Sequence, residues 1–224
     1  LPISLRALRV LRECDVVAAE DTRRTGQLLK HFGFSKPLLS YFQFNEARRS
    51  EEIIERLRRG ERVALVTDAG SPGISDPGER VVKAALAAGL RVEPVPGACA
   101  LVAALTASGL PTDEFHFIGF LPHKSGQRRN QLESLKDFDG TLVLYESPYR
   151  IERLLGELGE VFPRHRIVLA RELTKKFEEF LYGTAAELLA VAANRSLKGE
   201  FVVLIAPPDS ASETQTRSSV IPPV

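Results

Sequence analysis

The feature that most constrains the fold of this chain is the alternation of short apolar segments with helical segments over its first half. The apolar segments predict strands at 15–19, 37–42, 62–67 and 91–95. Between them, the spacing predicts helices at 4–13, from 22 to His31, at 46–59, from Asp76 and Pro77 to Gly89, and at 97–108. Because strands that alternate with helices pair in parallel beneath a helical layer, the sequence predicts an α/β fold.

The alternation becomes less regular after Gly109–Asp113, where we predict a domain boundary. Beyond it, the pattern predicts strands at 115–120, 141–145, 166–171, 178–182 and 200–206, with helices at 127–136, 149–162 and 184–193. We therefore expect two α/β domains, 1–112 with a mainly parallel sheet and 113–207 with a mixed sheet. The segment 208–224 is rich in Pro, Ser, Thr and Asp, and we expect it to be a disordered tail.

Composition excludes several kinds of site. The net charge is +1, so only local basic clusters support a nucleic-acid partner. Cys14 and Cys99 form no metal-binding spacing, which argues against zinc, and we expect no metal site. No apolar run approaches the ~20 residues that span a bilayer, so we expect no membrane partner and a cytoplasmic protein.

The loop 68–78 is the most informative segment for function. It follows a predicted strand, at the edge where open α/β sheets bind ligands. Gly70 and Gly73 let the main chain approach a ligand, and Asp68 can accept hydrogen bonds from a ribose or an amine. The alternative is a tight turn with Asp76 as a helix cap. The chain has neither GxxxxGK[ST] nor GxGxxG, so a nucleoside triphosphate or nicotinamide site is not supported.

Seven sequence blocks, in order, resemble the tetrapyrrole methylase superfamily. They are D-A-G-S-P-G-I-S-D-P-G at 68–78, V-P-G-A-C-A at 95–100, A-S-G-L-P-T at 107–112, F-I-G-F-L-P at 117–122, Y-E-S-P at 145–148, A-R-E-L-T-K at 170–175 and K-G-E-F-V at 198–202. The segments 20–23, 145–148 and 171–175 are similar to the branch that 2′-O-methylates a cytidine of small-subunit ribosomal RNA. The resemblance implies S-adenosylmethionine as cofactor, bound in a cleft between the two domains, and a homodimer.

The chain departs from the family pattern at a few positions. Cys99 replaces the usual Ser, Ala98 stands where Pro is frequent, and Tyr149 stands where His is common. The family also opens with a strand and a T-P-I-G-N-type loop that contacts the cofactor, and this chain begins just after that point. We therefore expect the chain as given to bind the cofactor less well than one that carries this segment.

Resemblance and position assign cofactor contacts to residues at two predicted strand ends, at the linker and in the last block. These residues are Asp68, Ala69, Gly70, Pro96, Gly97, Leu121, Pro122, Gly199 and Glu200. For Gly97 the alternative is a simple turn before a helix. For Leu121 and Pro122 it is packing of the linker.

The candidates for removing the ribose proton are Asp21, Glu146, Glu172 and Lys175. Asp21 should lie at the same sheet edge as Asp68, where it acts as the base, orients Arg23 or caps the next helix. Glu146 can equally end a strand, and Glu172 with Lys175 can equally form a surface ion pair.

Three basic clusters are candidate RNA contacts, with solvated helix faces as the alternative. They comprise Arg23 and Arg24; Lys124, Arg128 and Arg129; and Arg171, Lys175 and Lys176. The expected partner is small-subunit ribosomal RNA, free or in the assembled subunit. The alternatives are a methylase of small tetrapyrroles and a non-catalytic module that binds a nucleoside or RNA.

Overall fold

The structure is a computed structural model that describes residues 3–208. The chain forms two compact units, Leu1–Cys99 and Ala100–Val224. This division falls earlier than the boundary that the sequence predicts after Thr112, because the segment Ala100–Ala107 forms a helix that contacts a strand of the second unit. Apart from Pro208, the expected tail lies outside the described residues.

The first unit contains a three-stranded parallel sheet, which confirms the predicted sheet type. Its strands β1 (Val16–Ala19), β2 (Leu38–Ser40) and β3 (Val63–Val66) are arranged in the order β2-β1-β3. Four helices accompany the sheet: α1 (Leu5–Glu13), α2 (Thr22–His31), α3 (Glu46–Arg58) and α4 (Glu79–Ala87). Strand β1 is buried along its whole length, which explains why its sequence is a continuous apolar run and not an alternating one.

Two predictions for the first unit are wrong. The segment 91–95 is not a strand: its residues pair with no described strand, Val92 is exposed and Pro94 has no N–H to donate to a ladder. Helix α4 begins at Glu79 and not at Asp76, because the φ angle of Gly78 (152°) is incompatible with a helix that runs through it.

The second unit contains a mixed five-stranded sheet, as the sequence predicts. Its strands are β4 (Phe115–Phe120), β5 (Thr141–Glu146), β6 (Ile167–Arg171), β7 (Glu179–Gly183) and β8 (Phe201–Ile205), in the order β4-β5-β8-β6-β7. Only β4 and β5 are parallel neighbours. Helices α5 (Ala100–Ala107), α6 (Ser125–Glu133), α7 (Ile151–Val161) and α8 (Ala185–Asn194) belong to this unit. An apolar core forms between the sheet and helices α6, α7 and α8, and it includes Leu154, Leu155 and Leu188.

Candidate active site

A cluster of charged side chains lies where β1 and β3 end in the first unit. Because these strands are parallel neighbours, the residues that follow them meet at one sheet edge. Asp68 accepts hydrogen bonds from the main-chain N–H of Asp21 (3.3 Å) and from the guanidinium of Arg24 (3.2 Å), and its own N–H donates to Glu20 (3.1 Å). The predicted proximity of Asp21 to the 68–78 loop is therefore confirmed. We call these residues the strand-end cluster: Glu20, Asp21, Arg23, Arg24 and Asp68.

Asp21 caps α2 and orients Arg23 at the same time. Its carboxylate accepts from the main-chain N–H of Arg23 at 2.8 Å and pairs with the guanidinium at 2.7 Å. The hydrogen bonds from Arg23, first from its side chain and then from its main chain, lower the pKa of Asp21 to about 2. A carboxylate with so low a pKa is a weak base, so the geometry favours the two other roles for Asp21.

The loop after β3 packs against the segment around Pro96 and Gly97. Gly70 has a φ angle of 97°, and its missing Cβ would lie 3.6 Å from the carbonyl oxygen of Ala98, to which Ser71 also donates a hydrogen bond at 3.0 Å. The first-unit residues assigned to the cofactor thus present exposed main chain side by side. Pro96 and Gly97 differ from expectation only in that they follow an unpaired segment and not a strand.

A cavity of about 310 Å³ opens beside the strand-end cluster. Four of its lining side chains are acidic: Glu20, Glu46, Asp76 and Glu79. Such a lining favours a cationic ligand over an anionic one.

Three of the predicted residues of the second unit, Glu172, Lys175 and Glu200, lie in contact with one another. The ammonium of Lys175 donates to the carboxylates of Glu172 and Glu200, both at 2.9 Å, and the N–H of Glu200 donates to Glu172 at 2.9 Å. We call Glu172, Lys175 and Glu200 the lysine bridge. Burial acts to lower the pKa of Lys175, but the two carboxylates outweigh it and the pKa is raised. Lys175 is therefore a cation at neutral pH and not a base.

Gly199 adjoins the lysine bridge and borders a cavity of about 250 Å³. A Cβ at Gly199 would lie 2.6 Å from Cδ of Glu172, so only glycine fits there. The other lining residues include Arg171, Phe177 and Lys198, which give this cavity a basic and aromatic wall. Such a wall suits a phosphate or a nucleobase.

Arg128 does not fit the predicted role in RNA binding. Its side chain is 3% exposed and makes a bidentate ion pair with Glu157. Its remaining N–H groups donate to the carbonyl oxygens of Pro122 (3.0 Å) and His123 (3.1 Å). The hydrogen bond from Arg128 lowers the pKa of Glu157, so both groups stay charged. A guanidinium that is buried and fully engaged has no face to offer to a phosphate.

Two further assignments need correction because the side chains are buried. Glu146, a predicted base, is 2% exposed; it accepts from the N–H of Ser147 (2.8 Å) and lies 3.3 Å from Arg150, so it cannot touch a substrate. Leu121, which was expected to pack on an adenine, is 2% exposed and belongs to the core. Its side chain therefore has the alternative role of linker packing.

The other basic residues that the sequence singles out, Lys124, Arg129 and Lys176, are exposed. Arg129 pairs with Glu160 at 2.9 Å, and the ammonium of Lys176 lies over the ring of Phe177. Sequence reasoning did not assign Arg150, Phe177 or Lys198 to the site. Two of them carried a signal: Arg150 follows the Y-E-S-P block directly, and Lys198 begins the K-G-E-F-V block.

Within residues 3–208, no group of His, Cys, Asp and Glu side chains could hold a metal ion. The helices of the same range include none that is long and apolar enough to cross a bilayer.

The family model for Tetrapyrrole (Corrin/Porphyrin) Methylases matches residues 2–189. The chain belongs to this family. Among curated members it is 50% identical to Ribosomal RNA small subunit methyltransferase I of Xylella fastidiosa, over 96% of this chain and 81% of that protein. It is also 50% identical to the protein of the same name from Pseudomonas aeruginosa, over 91% of this chain and 73% of that protein.

Solved structures show the same fold at lower identity. Diphthine synthase matches with a TM-score of 0.71 and 18% identity, over 92% of this chain and 84% of that chain. The methyltransferase CobJ matches with a TM-score of 0.68 and 20% identity, over 92% of this chain and 89% of that chain. A uroporphyrin-III C-methyl transferase from Thermus thermophilus, complexed with S-adenyl homocysteine, matches with a TM-score of 0.58 and 20% identity. The match covers 91% of this chain and 90% of that chain.

Proposed function

We propose that this protein is an S-adenosylmethionine-dependent methyltransferase that methylates small-subunit ribosomal RNA, at the ribose 2′ oxygen of a cytidine. The observation that carries the proposal is the 50% identity, over 96% of the chain, to a protein named Ribosomal RNA small subunit methyltransferase I. The alternative of a small-molecule tetrapyrrole methylase has weaker support, since CobJ and a uroporphyrin-III C-methyltransferase are only 20% and 24% identical to this chain.

The residues of the first unit fit the methyl donor. S-adenosylmethionine supplies a methyl group on a cationic sulfur, and the acidic cavity beside the strand-end cluster suits a cation. Asp68, fixed by Arg24 and by the N–H of Asp21, is oriented to accept hydrogen bonds from the cofactor. The exposed main chain at Ala69 and Gly70 allows the close approach that a bound nucleoside needs.

Residues of both units supply the charge that RNA requires. Arg23 is 87% exposed, and Asp21 holds its guanidinium, so we assign Arg23 to a phosphate. Lys175 remains a cation in the lysine bridge, and we assign it to stabilising the oxygen that loses its proton. Lys124, Arg129 and Lys176 supply further phosphate contacts. No described carboxylate is assigned as the base.

The family resemblance also supports a homodimer, and a ribosomal RNA substrate supports a cytoplasmic location without a membrane partner. Sedimentation of the purified protein tests the dimer.

The test of the function is methyl transfer from radiolabelled S-adenosylmethionine to small ribosomal subunits and to the free RNA, with uroporphyrinogen as a third substrate. We expect labelled RNA and no labelled tetrapyrrole. Asp68→Ala should lower the affinity for the methyl donor about tenfold or more, because a charge-assisted hydrogen bond contributes about 1.5–3 kcal/mol. Glu51→Gln, which removes an exposed carboxylate of the same unit, is the control. Methylation of uroporphyrinogen alone would replace the proposed substrate.

A further inference from the structure

Three consecutive carbonyl groups in the linker after β4 are held by two arginine side chains. Arg128 donates to the carbonyl oxygens of Pro122 (3.0 Å) and His123 (3.1 Å). Arg150 donates to those of Leu121 (2.9 Å) and Pro122 (3.3 Å). These four hydrogen bonds to the linker end on the main chain, and Arg150 also lies 3.4 Å from Nδ1 of the His123 imidazole. We call Arg128, Arg150 and the three carbonyls the guanidinium clamp.

Each arginine is paired with a carboxylate, that of Glu157, which is 16% exposed, or that of the buried Glu146. Arg128 makes a bidentate pair with Glu157, and its side chain is 3% exposed. Arg150 is 18% exposed and lies 3.3 Å from Glu146, whose side chain is 1% exposed. Burying the charges of Arg128 and Glu146 is costly unless their partners are well placed. Apolar residues could replace the ion pairs but could not donate to the three carbonyl oxygens, so the guanidinium groups are what fixes the main chain of the linker.

The position of the guanidinium clamp indicates what it does. It fixes the main chain of Leu121 and Pro122, the linker residues that the family resemblance assigns to the cofactor, while the side chain of Leu121 is anchored in the core. We infer that Arg150 and Arg128 are positioning residues, which hold the main chain at 121–123 so that Pro122, the partly exposed one of the two assigned residues, contacts the adenosine part of the methyl donor. The inference rests on the proposed function. It gives the Y-E-S-P block a role: Glu146 orients Arg150 and does not act as a base.

The test is steady-state methyl transfer, with kcat and KM measured separately for S-adenosylmethionine and for small-subunit RNA. Arg150→Gln removes the cationic donor. Arg150→Lys keeps the charge beside Glu146 but loses the planar guanidinium group that donates to the two carbonyl oxygens. Glu146→Gln keeps an acceptor for Ser147 and removes the charge that faces Arg150. The matched control is Arg153→Gln. Arg153 lies in the first turn of α7, which begins directly after the cap residue Arg150, pairs with Glu157 at 3.6 Å and is 60% exposed.

We expect Arg150→Gln to raise the KM for S-adenosylmethionine about tenfold or more, with the KM for RNA unchanged. Arg150→Lys and Glu146→Gln should raise it by less, and Arg153→Gln should leave both values unchanged. Hydrogen exchange should speed up at the amides of 121–124 in Arg150→Gln and not in the control. If Arg150→Gln does not fold, the KM values of Arg150→Lys for S-adenosylmethionine and for RNA test the inference in its place.

An unchanged KM for S-adenosylmethionine in a folded Arg150 variant would overturn the inference. Equal increases for both substrates would also overturn it, because they indicate a general structural effect. Absence of methyl transfer by the wild-type protein and by Arg153→Gln would instead be a failure of the proposed function.

Discussion

Arg23 keeps the carboxylate of Asp21 charged to a lower pH than that of an unpaired aspartate. The pKa of Asp21 is lowered to about 2, so the stabilisation from this pair is fully present above the carboxyl pKa of the unfolded chain and is lost as the pH falls towards 2. Across the neutral range Asp21 does not titrate. Its contribution to activity is therefore the orientation of Arg23 and not proton transfer.

We predict that Asp21→Asn lowers the rate of methyl transfer by about ten- to a hundredfold, through misplacement of Arg23, and by the same factor at every pH from about 6 to 9. The measurement is a pair of pH–rate profiles for the wild type and the variant. A limb of the wild-type profile that disappears in Asp21→Asn would show instead that Asp21 is the base.

Neighbouring arginines on α6 should differ greatly in their effect on stability. Arg128→Ala removes a 3% exposed guanidinium and leaves Glu157 with only the exposed Arg153. Two carbonyl oxygens of the linker also lose this donor, so we expect the variant to lower the free energy of unfolding by about 2–4 kcal/mol. Arg129 is 55% exposed, and we expect Arg129→Ala to lower it by only about 0–1 kcal/mol. Urea unfolding measures both values. Equal losses would contradict the account of the buried pair.

The sequence indicated some of these residue positions and not others, for a physical reason. Asp21 and Asp68 follow buried strands, and parallel strands place such residues at one edge, so their proximity could be predicted. Arg128 and Glu146 are of residue types that are usually exposed. Their burial depends on partners that the local pattern does not reveal, such as Glu157, which is 29 residues from Arg128 in the sequence.

At the scale of secondary-structure elements, the turn between β6 and β7 packs against Gly199, which lies just before β8. The φ angle of Gly199 is 102°, and an added Cβ would meet the side chain of Glu172, which forms part of the lysine bridge. Glu172 itself has a positive φ angle of 50°. The bridge and the glycine therefore require each other: a side chain at 199 would displace Glu172 from Lys175.

We predict that Gly199→Ala lowers the free energy of unfolding by about 1–3 kcal/mol. Gly156→Ala is the matched control: it lies inside α7 with open space around its Cα, so alanine should raise the stability by about 0.5–1 kcal/mol. Thermal unfolding of the two variants gives the comparison. Two changes of the same sign would contradict the proposed close contact.

Most elements were predictable because an apolar run or a helical spacing specifies each one locally. Strand β4 has the predicted bounds, and α1 begins after Ser4, whose hydroxyl caps it. The segment 91–95 was mispredicted because a strand needs a partner as well as a suitable sequence. The start of α4 was mispredicted because the positive φ angle of Gly78 is set by the packing of the loop.

At the scale of the whole molecule, the two units differ in the charge of their cavities. The cavity of the first unit has an acidic lining, and that of the second has a basic and aromatic one. These linings suit a cationic methyl donor and an anionic RNA respectively, which is the pair of substrates in the proposed reaction. The fold class could be predicted from the alternation of strands and helices, whereas this distribution of charge could not, because it depends on which loops fold together.

The most direct test of the central claim is isothermal titration of S-adenosylmethionine into the wild-type protein and into Asp68→Ala. We predict saturable binding by the wild type, with weaker binding by Asp68→Ala. Binding by neither protein, with both shown to be folded by circular dichroism, would contradict the claim that this is an S-adenosylmethionine-dependent methyltransferase.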